Sequence, residues 1–468
     1  MNKSSAKILW LLPALLLSAQ SCFVAKKYER PQEINAQAEK LFRTDSLPAD
    51  STSMANVSWR EIFTDPVLTA HIEKALDNNI DVRVALQQII SAEAYLKQGK
   101  NGFLPSVTAT LQNSYQETSG NSQFGNFFST ISQNQLSATA SWEADVWGKI
   151  RSQKRAFEAS YLQSVAAHQA IKTRLIANIA TTYYQLLSLD EQIRVTDTTV
   201  QNRARSLETT RALKDAGNVT EVAVQQTEAQ LYTAQAILVN LKNQRRQLEN
   251  AFSILLGEAP QAIDRSSLDA QLITIQPKTG YALNLLENRP DVRAAEFQLM
   301  NAFELTNVAR ASLYPSLSIS ATYGFQAVSP NPLITPESIF LQVASSLAGP
   351  LFQRRTLKTQ YEVAEANQKQ AILNFRASLL TAGQEVSNAL SDIEATDSIV
   401  SIRQKEFLAY EKAANYSSEL LNNGLATYLE VLTAQSNALN SELTLIQNRQ
   451  AQLSALVNLY TALGGGWE

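Results

Sequence analysis

The sequence predicts a mainly α-helical, internally duplicated fold with a small β part, and three observations predict it. Glycine and proline are scarce, at 15 and 13 in 468 residues, and stretches 149–216, 218–256 and 425–463 contain neither. Such stretches can run as uninterrupted helix. Landmarks of the first half recur in the second at nearly one offset, the mark of an internal repeat. Between the helical stretches the apolar period changes from about 3.6 to 2, which separates helix from half-buried strand.

Composition excludes several classes. With 40 Lys+Arg against 43 Asp+Glu the formal charge is −3, leaving no basic footprint for nucleic acid. A mean hydropathy of −0.17 leaves no room for repeated apolar helices spanning a bilayer. One Cys and two His rule out a disulfide framework and argue against a zinc site. His71 and His168 stand apart in sequence and read as ordinary helix-face residues. No Gly-x-Ser-x-Gly elbow and no Gly-rich phosphate loop occurs, so the chain reads as neither an enzyme nor a nucleotide-driven motor, with no metal.

The elements follow in chain order. Lys3 and Lys7, the apolar run Ile8 to Leu17 and the small residues Ser18 to Ser21 make 1–21 a secretory signal peptide. It ends at Cys22, the single cysteine, which looks like a lipoprotein acceptor whose sulfur takes a diacylglyceryl chain. Ala19 stands where the usual box has Leu. Residues 22–58 are then a lipid-linked N-terminal segment, with no cofactor beyond that lipid.

Two repeats follow, 59–257 and 284–464, joined by a connecting segment at 258–283 and ending in a tail, 465–468. Asp81-Val82-Arg83 recurs as Asp291-Val292-Arg293, Pro105-Ser106 as Pro315-Ser316, Gly217 as Gly424 and Leu256-Gly257 as Leu463-Gly464. Each repeat reads helix, two strands, long helix, helix. Asp65 caps the first helix, with Pro66 where a missing N–H costs nothing, and the pattern carries it to about Asn101. Strands are expected at about 103–117, 131–146, 313–328 and 338–352. In the second of these Leu136, Ala138, Ala140, Trp142, Ala144 and Val146 alternate with Ser, Thr, Glu and Asp. Long helices are expected at about 149–214 and 354–422, and shorter ones at 219–256 and 427–463. Phe157, Tyr161, Val165, His168, Ile171, Leu175 and Ile179 lie three or four apart. That is a seam near the coiled-coil period, so the long helices pack side by side.

Each strand has about the length that crosses a membrane, and the loops between them are long and rich in polar residues. Four strands cannot close a barrel, and open edges in lipid leave backbone groups unpaired. Two copies would give 8 strands around a filled interior, and three would give 12 around a lumen. A soluble four-stranded sheet is the other reading of the same pattern.

Several longer stretches resemble one family. They are Trp59-Arg60-Glu61-Ile62-Phe63-Thr64-Asp65-Pro66, Trp142-Glu143-Ala144-Asp145-Val146-Trp147-Gly148-Lys149, Asn288-Arg289-Pro290-Asp291-Val292, Ala309-Arg310-Ala311-Ser312-Leu313-Tyr314-Pro315-Ser316, Tyr428-Leu429-Glu430-Val431-Leu432-Thr433-Ala434-Gln435 and Ala462-Leu463-Gly464-Gly465-Gly466-Trp467. In this order they resemble the TolC family of outer-membrane factors, and within it the NodT-type lipoproteins of resistance-nodulation-division efflux systems. The resemblance implies a homotrimer with a shared 12-stranded outer-membrane β-barrel, four strands per subunit, above an α-barrel tunnel in the periplasm. It implies as partners a periplasmic adaptor (a membrane fusion protein), an inner-membrane pump and outer-membrane lipid, and a passive exit channel for small toxic compounds.

Gly217 and Gly424 each end a long helix, so Gly217-Asn218 and Asn423-Gly424 are the expected tip turns and adaptor contacts. The resemblance puts Glu430 at the channel mouth, with Thr433 where relatives often carry a second acid and Glu221 near the matching place in the first repeat. Trp142 and Trp147 flank a strand-to-helix junction and suit packing with some membrane-interface anchoring. Two other readings stay open: the channel of a type I polypeptide exporter, and a periplasmic coiled-coil scaffold without a pore.

Overall fold

The structure is a computed structural model that describes residues 24–32, 41, 57–119, 121, 130–271, 285–331 and 333–467. The signal segment and Cys22 lie outside the described residues. In order, the helices and strands are α1 Trp59–Ile62, α2 Pro66–Asn78, α3 Ile80–Asn101, β1 Ser106–Glu117, β2 Thr130–Ala144, α4 Lys149–Asp215, α5 Glu221–Leu255, α6 Leu285–Asn288, α7 Pro290–Ala311, β3 Ser316–Ala327, β4 Ile339–Ala348, α8 Thr356–Asn422 and α9 Tyr428–Ala462. α4 and α8 have 67 residues each and α5 and α9 have 35 each, so the duplication preserves the lengths of these four helices to the residue. At 1.5 Å per residue the long helices measure about 100 Å.

The chain forms two compact units, and each draws on both repeats: 1–30, 89–164 and 295–375 in one, 31–88, 165–294 and 376–468 in the other. The first unit holds the sheet. Its order is β1-β2-β3-β4, antiparallel throughout, with β2 against β3 joining the two repeats. The register matches apolar with apolar across all four strands: Leu111 faces Leu136, Leu136 faces Phe325, and Phe325 faces Ile339. One residue along, Thr110 faces Ser137, and Thr139 faces Thr322 with their hydroxyls 2.9 Å apart. Period-2 alternation thus makes two chemically distinct faces.

Local contacts trim the expected ends. β2 stops at Ala144 because Asp145 turns to cap α4, accepting from the amides of Ile150 at 2.8 Å and Arg151 at 3.1 Å. β4 stops at Ala348, before Gly349-Pro350, where Pro has no N–H for a ladder. α8 starts at Thr356 rather than 354 because Arg354 and Arg355 have φ of 47° and 67°, outside the right-handed helical region. Trp147 is packing: its indole donates to the Pro315 carbonyl at 2.7 Å and its ring lies 5.1 Å from that of Tyr314. Trp142 donates to the Phe103 carbonyl at 2.9 Å and keeps an exposed face.

In the second unit the helix expected to run unbroken to Asn101 divides at Asn79. The Asn79 amide ends α2 on the Ala75 carbonyl at 2.9 Å, and its side chain accepts from the amides of Asp81 and Val82 at 2.9 and 3.2 Å to start α3. Its Nδ2 donates to the Leu255 carbonyl at 2.9 Å. The core of this unit is dense along α4, where Leu175, Ile176, Ile179, Ala180, Tyr183, Leu186 and Leu187 are buried. His71 belongs to the same packing, 2.8 Å from the Asp264 carbonyl and 5.2 Å from the Phe252 ring. Residues 465–467, expected as tail, are packed: the Trp467 indole donates to the Asn288 carbonyl at 3.2 Å, and Lys172 donates to the Trp467 carbonyl at 3.3 Å. Buried Arg289 donates to the Ala462 carbonyl at 2.9 Å and pairs with Asp291 and Glu385.

The repeat shows most closely in two glycines. Gly257, with φ of 74°, leaves 2.5 Å between a would-be Cβ and the Asn78 carbonyl oxygen; Gly464, with φ of 99°, leaves 2.7 Å to that of Asn288. Gly217 and Gly424 share the positive φ but have no heavy atom within 4 Å of that position. Gly424→Ala should therefore cost only the left-handed backbone term, about 1 kcal/mol. Gly464→Ala adds overlap with backbone and should cost more than about 2 kcal/mol. Thermal melts of the two variants followed by helical circular dichroism check the difference.

Asp65 joins four groups to one carboxylate. It accepts from the Val67 amide at 2.9 Å, the Tyr183 hydroxyl at 2.8 Å, the Gln271 amide at 2.8 Å and the Ser266 hydroxyl. Partial burial pushes its pKa up, but the bonds from Ser266, Gln271, Tyr183 and Val67 outweigh that and hold it below the usual carboxylate value. The bound carboxylate therefore stabilises the fold above the unfolded-state pKa of about 4, and that contribution is lost as pH falls through the lower folded value. Melting temperatures from pH 6 to pH 3 should fall more for the wild type than for Asp65→Asn.

Candidate functional site

The two hairpin turns are built alike. At the α4–α5 turn Gly217, with φ of 80°, donates to the Lys214 carbonyl at 2.8 Å and Asn218 to that of Leu213 at 2.9 Å. At the α8–α9 turn Gly424, with φ of 74°, donates to the Leu421 carbonyl at 3.0 Å and Leu425 to that of Leu420 at 2.8 Å. Both are left-handed glycine caps that satisfy the last helix carbonyls. Asn218 and Asn423 are exposed, and the Asn423 side chain donates back to the Glu419 carbonyl at 2.8 Å.

Beyond the glycines the turns differ. Thr427 and Glu430 form a complete capping box at the start of α9. The Glu430 amide donates to the Thr427 hydroxyl at 3.4 Å, and the Glu430 carboxylate accepts from the Thr427 amide at 2.7 Å and from its hydroxyl at 3.0 Å. Those bonds, the backbone one first, keep the Glu430 pKa below the usual carboxylate range. Glu430, expected as a mouth carboxylate, thus has a partner in its own helix start. The signature Thr427-x-x-Glu430 was open to reading from sequence alone. In the first repeat Ala223 replaces that Glu, and Thr220 makes no side-chain cap bond. Glu221 instead spans the turn to Lys214 at 2.8 Å and accepts from Gln225 at 2.8 Å, with Lys214 the main cause of its lowered pKa. The Thr433 hydroxyl is bound within α9, donating to the Leu429 carbonyl at 2.8 Å.

A hydroxyl cluster beside the turns escaped the sequence reading. The Tyr428 oxygen lies 2.8 Å from the hydroxyls of both Thr210 on α4 and Thr227 on α5. Those threonines also lie 2.8 and 2.7 Å from the carbonyls of Ser206 and Ala223. Three hydroxyl protons serve four contacts, so Tyr428 ties α9 to the first hairpin through a shared network. No local pattern announces it, since its members lie 201 and 218 residues from Tyr428.

The sheet is the second candidate region. One face carries Val107, Leu111, Tyr115, Tyr323, Leu341 and Val343, all exposed, and the other is mainly Ser, Thr and Gln, with Glu143 and, on β4, Phe340 and Ala344. A surface of this kind with free outer edges suits hydrocarbon on one side and water on the other. No helix among the described residues is long and apolar enough to cross a membrane.

A bifacial sheet with open edges, joined to paired helical hairpins of this length, defines a channel subunit. The chain belongs to the outer membrane efflux protein family, whose model matches residues 71–258 and 283–465. It is 25% identical over 463 residues to the cation efflux system protein CusC of Escherichia coli O157:H7, covering 98% of this chain and 99% of that protein. It is 24% identical over 460 residues to SilC of Salmonella typhimurium, a probable outer membrane lipoprotein, covering 97% and 98%. The open-state MtrE outer membrane channel of Neisseria gonorrhoeae has the same fold, with a TM-score of 0.83 at 25% identity, covering 96% and 99%. The chain is thus an outer-membrane efflux channel protein.

Replacing Thr427 by Ala removes a cap worth about 1 kcal/mol and should fray the start of α9. Faster amide exchange at Leu429 to Val431, with no change at Glu221 to Ala223, is the expected outcome.

Proposed function

We propose that three copies close one 12-stranded barrel, with the polar sheet face lining a lumen, and form the passive exit duct of a tripartite efflux pump. The open sheet carries this reading: β1 and β4 each pair on one side only, and in hydrocarbon an unpaired strand edge costs several kcal/mol per backbone group. Three copies satisfy all edges and leave a lumen, where two would be filled by side chains. The hairpin turns at Gly217-Asn218 and Asn423-Gly424 are the contacts for a periplasmic adaptor serving an inner-membrane resistance-nodulation-division pump. Cys22 carries the lipid, and the cargo is a small toxic compound. The conduit needs no chemistry of its own, because the pump supplies the energy.

The test is a Cys22→Ala variant carrying a photo-crosslinking residue at Asn423. It should still require detergent, because the shared barrel and not the lipid holds it in the membrane, and it should capture an adaptor. Recovery as a water-soluble folded monomer would defeat the channel reading. Capture of an ATP-driven exporter would replace the pump by a polypeptide secretion system.

A further inference from the structure

No Lys or Arg occurs between Lys100 and Lys149, or between Arg310 and Arg354. These two cation-free stretches contain all four strands. The register places Ser106 opposite Ser141, Ala144 opposite Leu317 and Ser316 opposite Ala348. All four helix connections therefore leave from one edge of the sheet, and at that edge the cations resume on every element: the end of α3, the start of α4, the end of α7 and the approach to α8. At the opposite edge the connections 118–129 and 328–338 contain no Lys or Arg and a single acid, Glu337.

The N-terminal segment adds to the same edge. Asn307 on α7 binds the Lys26 backbone twice, accepting from its amide at 3.1 Å and donating to its carbonyl at 2.9 Å. Arg30 forks onto Glu296 at 2.6 and 2.7 Å. This strap holds Lys26 and Lys27 exposed beside Gly148 and Arg151, around a cavity of about 600 Å³.

Some of these cations are paired, Lys149 with Glu143, Arg151 with Asp145, Arg155 with Glu304 and Arg355 with Glu362. Lys26, Lys27, Lys100, Lys154, Arg354 and Lys358 have no ion pair among the described residues. Arg354 is also held at a positive φ that L-residues rarely adopt. Near the end of β2 and between the other strands and the cations lies a rim of exposed apolar and aromatic side chains, among them Trp142, Leu104, Leu313, Tyr314 and Phe352. The order is apolar strand face, aromatic rim, basic belt, which is the profile of a membrane surface bearing anionic headgroups. A chain of net charge −3 does not produce such a belt by composition.

We propose that this belt binds the phosphates of anionic phospholipids at the helix-side surface of the membrane. The inference rests on the sheet lying in the outer membrane. It goes beyond the channel reading in assigning a lipid class and the residues that select it. Cations beyond the same ends of the strands on five separate chain segments suit a plane of phosphates, and the rim beside them suits the acyl boundary.

The mature protein reconstituted in phosphatidylcholine vesicles, probed with trace spin-labelled phosphatidylglycerol or phosphatidylcholine, tests this through the motionally restricted fraction of each label. The wild type should favour phosphatidylglycerol at least about threefold at low salt, and the preference should fall towards unity as salt screens it. The variant K100Q/K154Q/R354Q/K358Q should lose it, and K100R/K154R/R354K/K358R, which keeps the charges, should retain it. K242Q/R246Q, which removes two exposed cations on α5, should also retain it. Equal restriction of both labels by the wild type, unchanged preference in the first variant, or loss in the α5 variant would overturn the belt while leaving the channel intact. Restriction of neither label would remove the membrane reading along with it.

Discussion

In hydrocarbon every backbone N–H and C=O needs a protein partner, and a sheet of four strands leaves two edges without one. Much else follows from that debt. Closing the edges requires further copies, so the repeat within one chain has to continue as a repeat between chains. The wall must offer apolar side chains to lipid at every second residue, and the register of Leu111, Leu136, Phe325 and Ile339 carries one apolar row across all four strands. The same constraint keeps Lys and Arg out of the strands, because a cation facing the bilayer midplane costs about 2–4 kcal/mol.

The duplication is visible in bonds as well as in lengths. Gly257 admits the Asn78 carbonyl and Gly464 admits that of Asn288, so each repeat closes its last helix against the end of one of its own early helices, α2 or α6. Yet neither compact unit belongs to one repeat. Pairing of β2 with β3 is the seam where the two halves become one sheet, so neither repeat carries a complete wall of its own.

Much of the architecture was legible in the sequence because its signals are local and long. Dozens of residues without Gly or Pro leave few alternatives to helix, and strict alternation through Leu136 to Ala144 leaves few to strand. Breaks made by single side chains were hidden. Asn79 divides a helix without any Gly or Pro nearby, because its side chain satisfies amides that a continuous helix would have paired otherwise. Long-range contacts were hidden too: Asn307 meets Lys26 across 281 residues, and Trp467 meets Asn288 across 179. The turns lay between these cases. Gly217 and Gly424 announced themselves, but the acids beside them have local partners that only the geometry shows, and family likeness alone pointed Glu430 towards a mouth.

The two turns of one subunit also respond to different solvents. The first is braced by an ion pair between exposed side chains, Lys214 and Glu221, which dissolved electrolyte weakens. The second is braced by hydrogen bonds from backbone and hydroxyl to Glu430, within a single turn of one helix. Around a ring of three subunits these would alternate as six braces of two kinds. Raising ionic strength would slacken every other one, leaving three of the six braces at full strength.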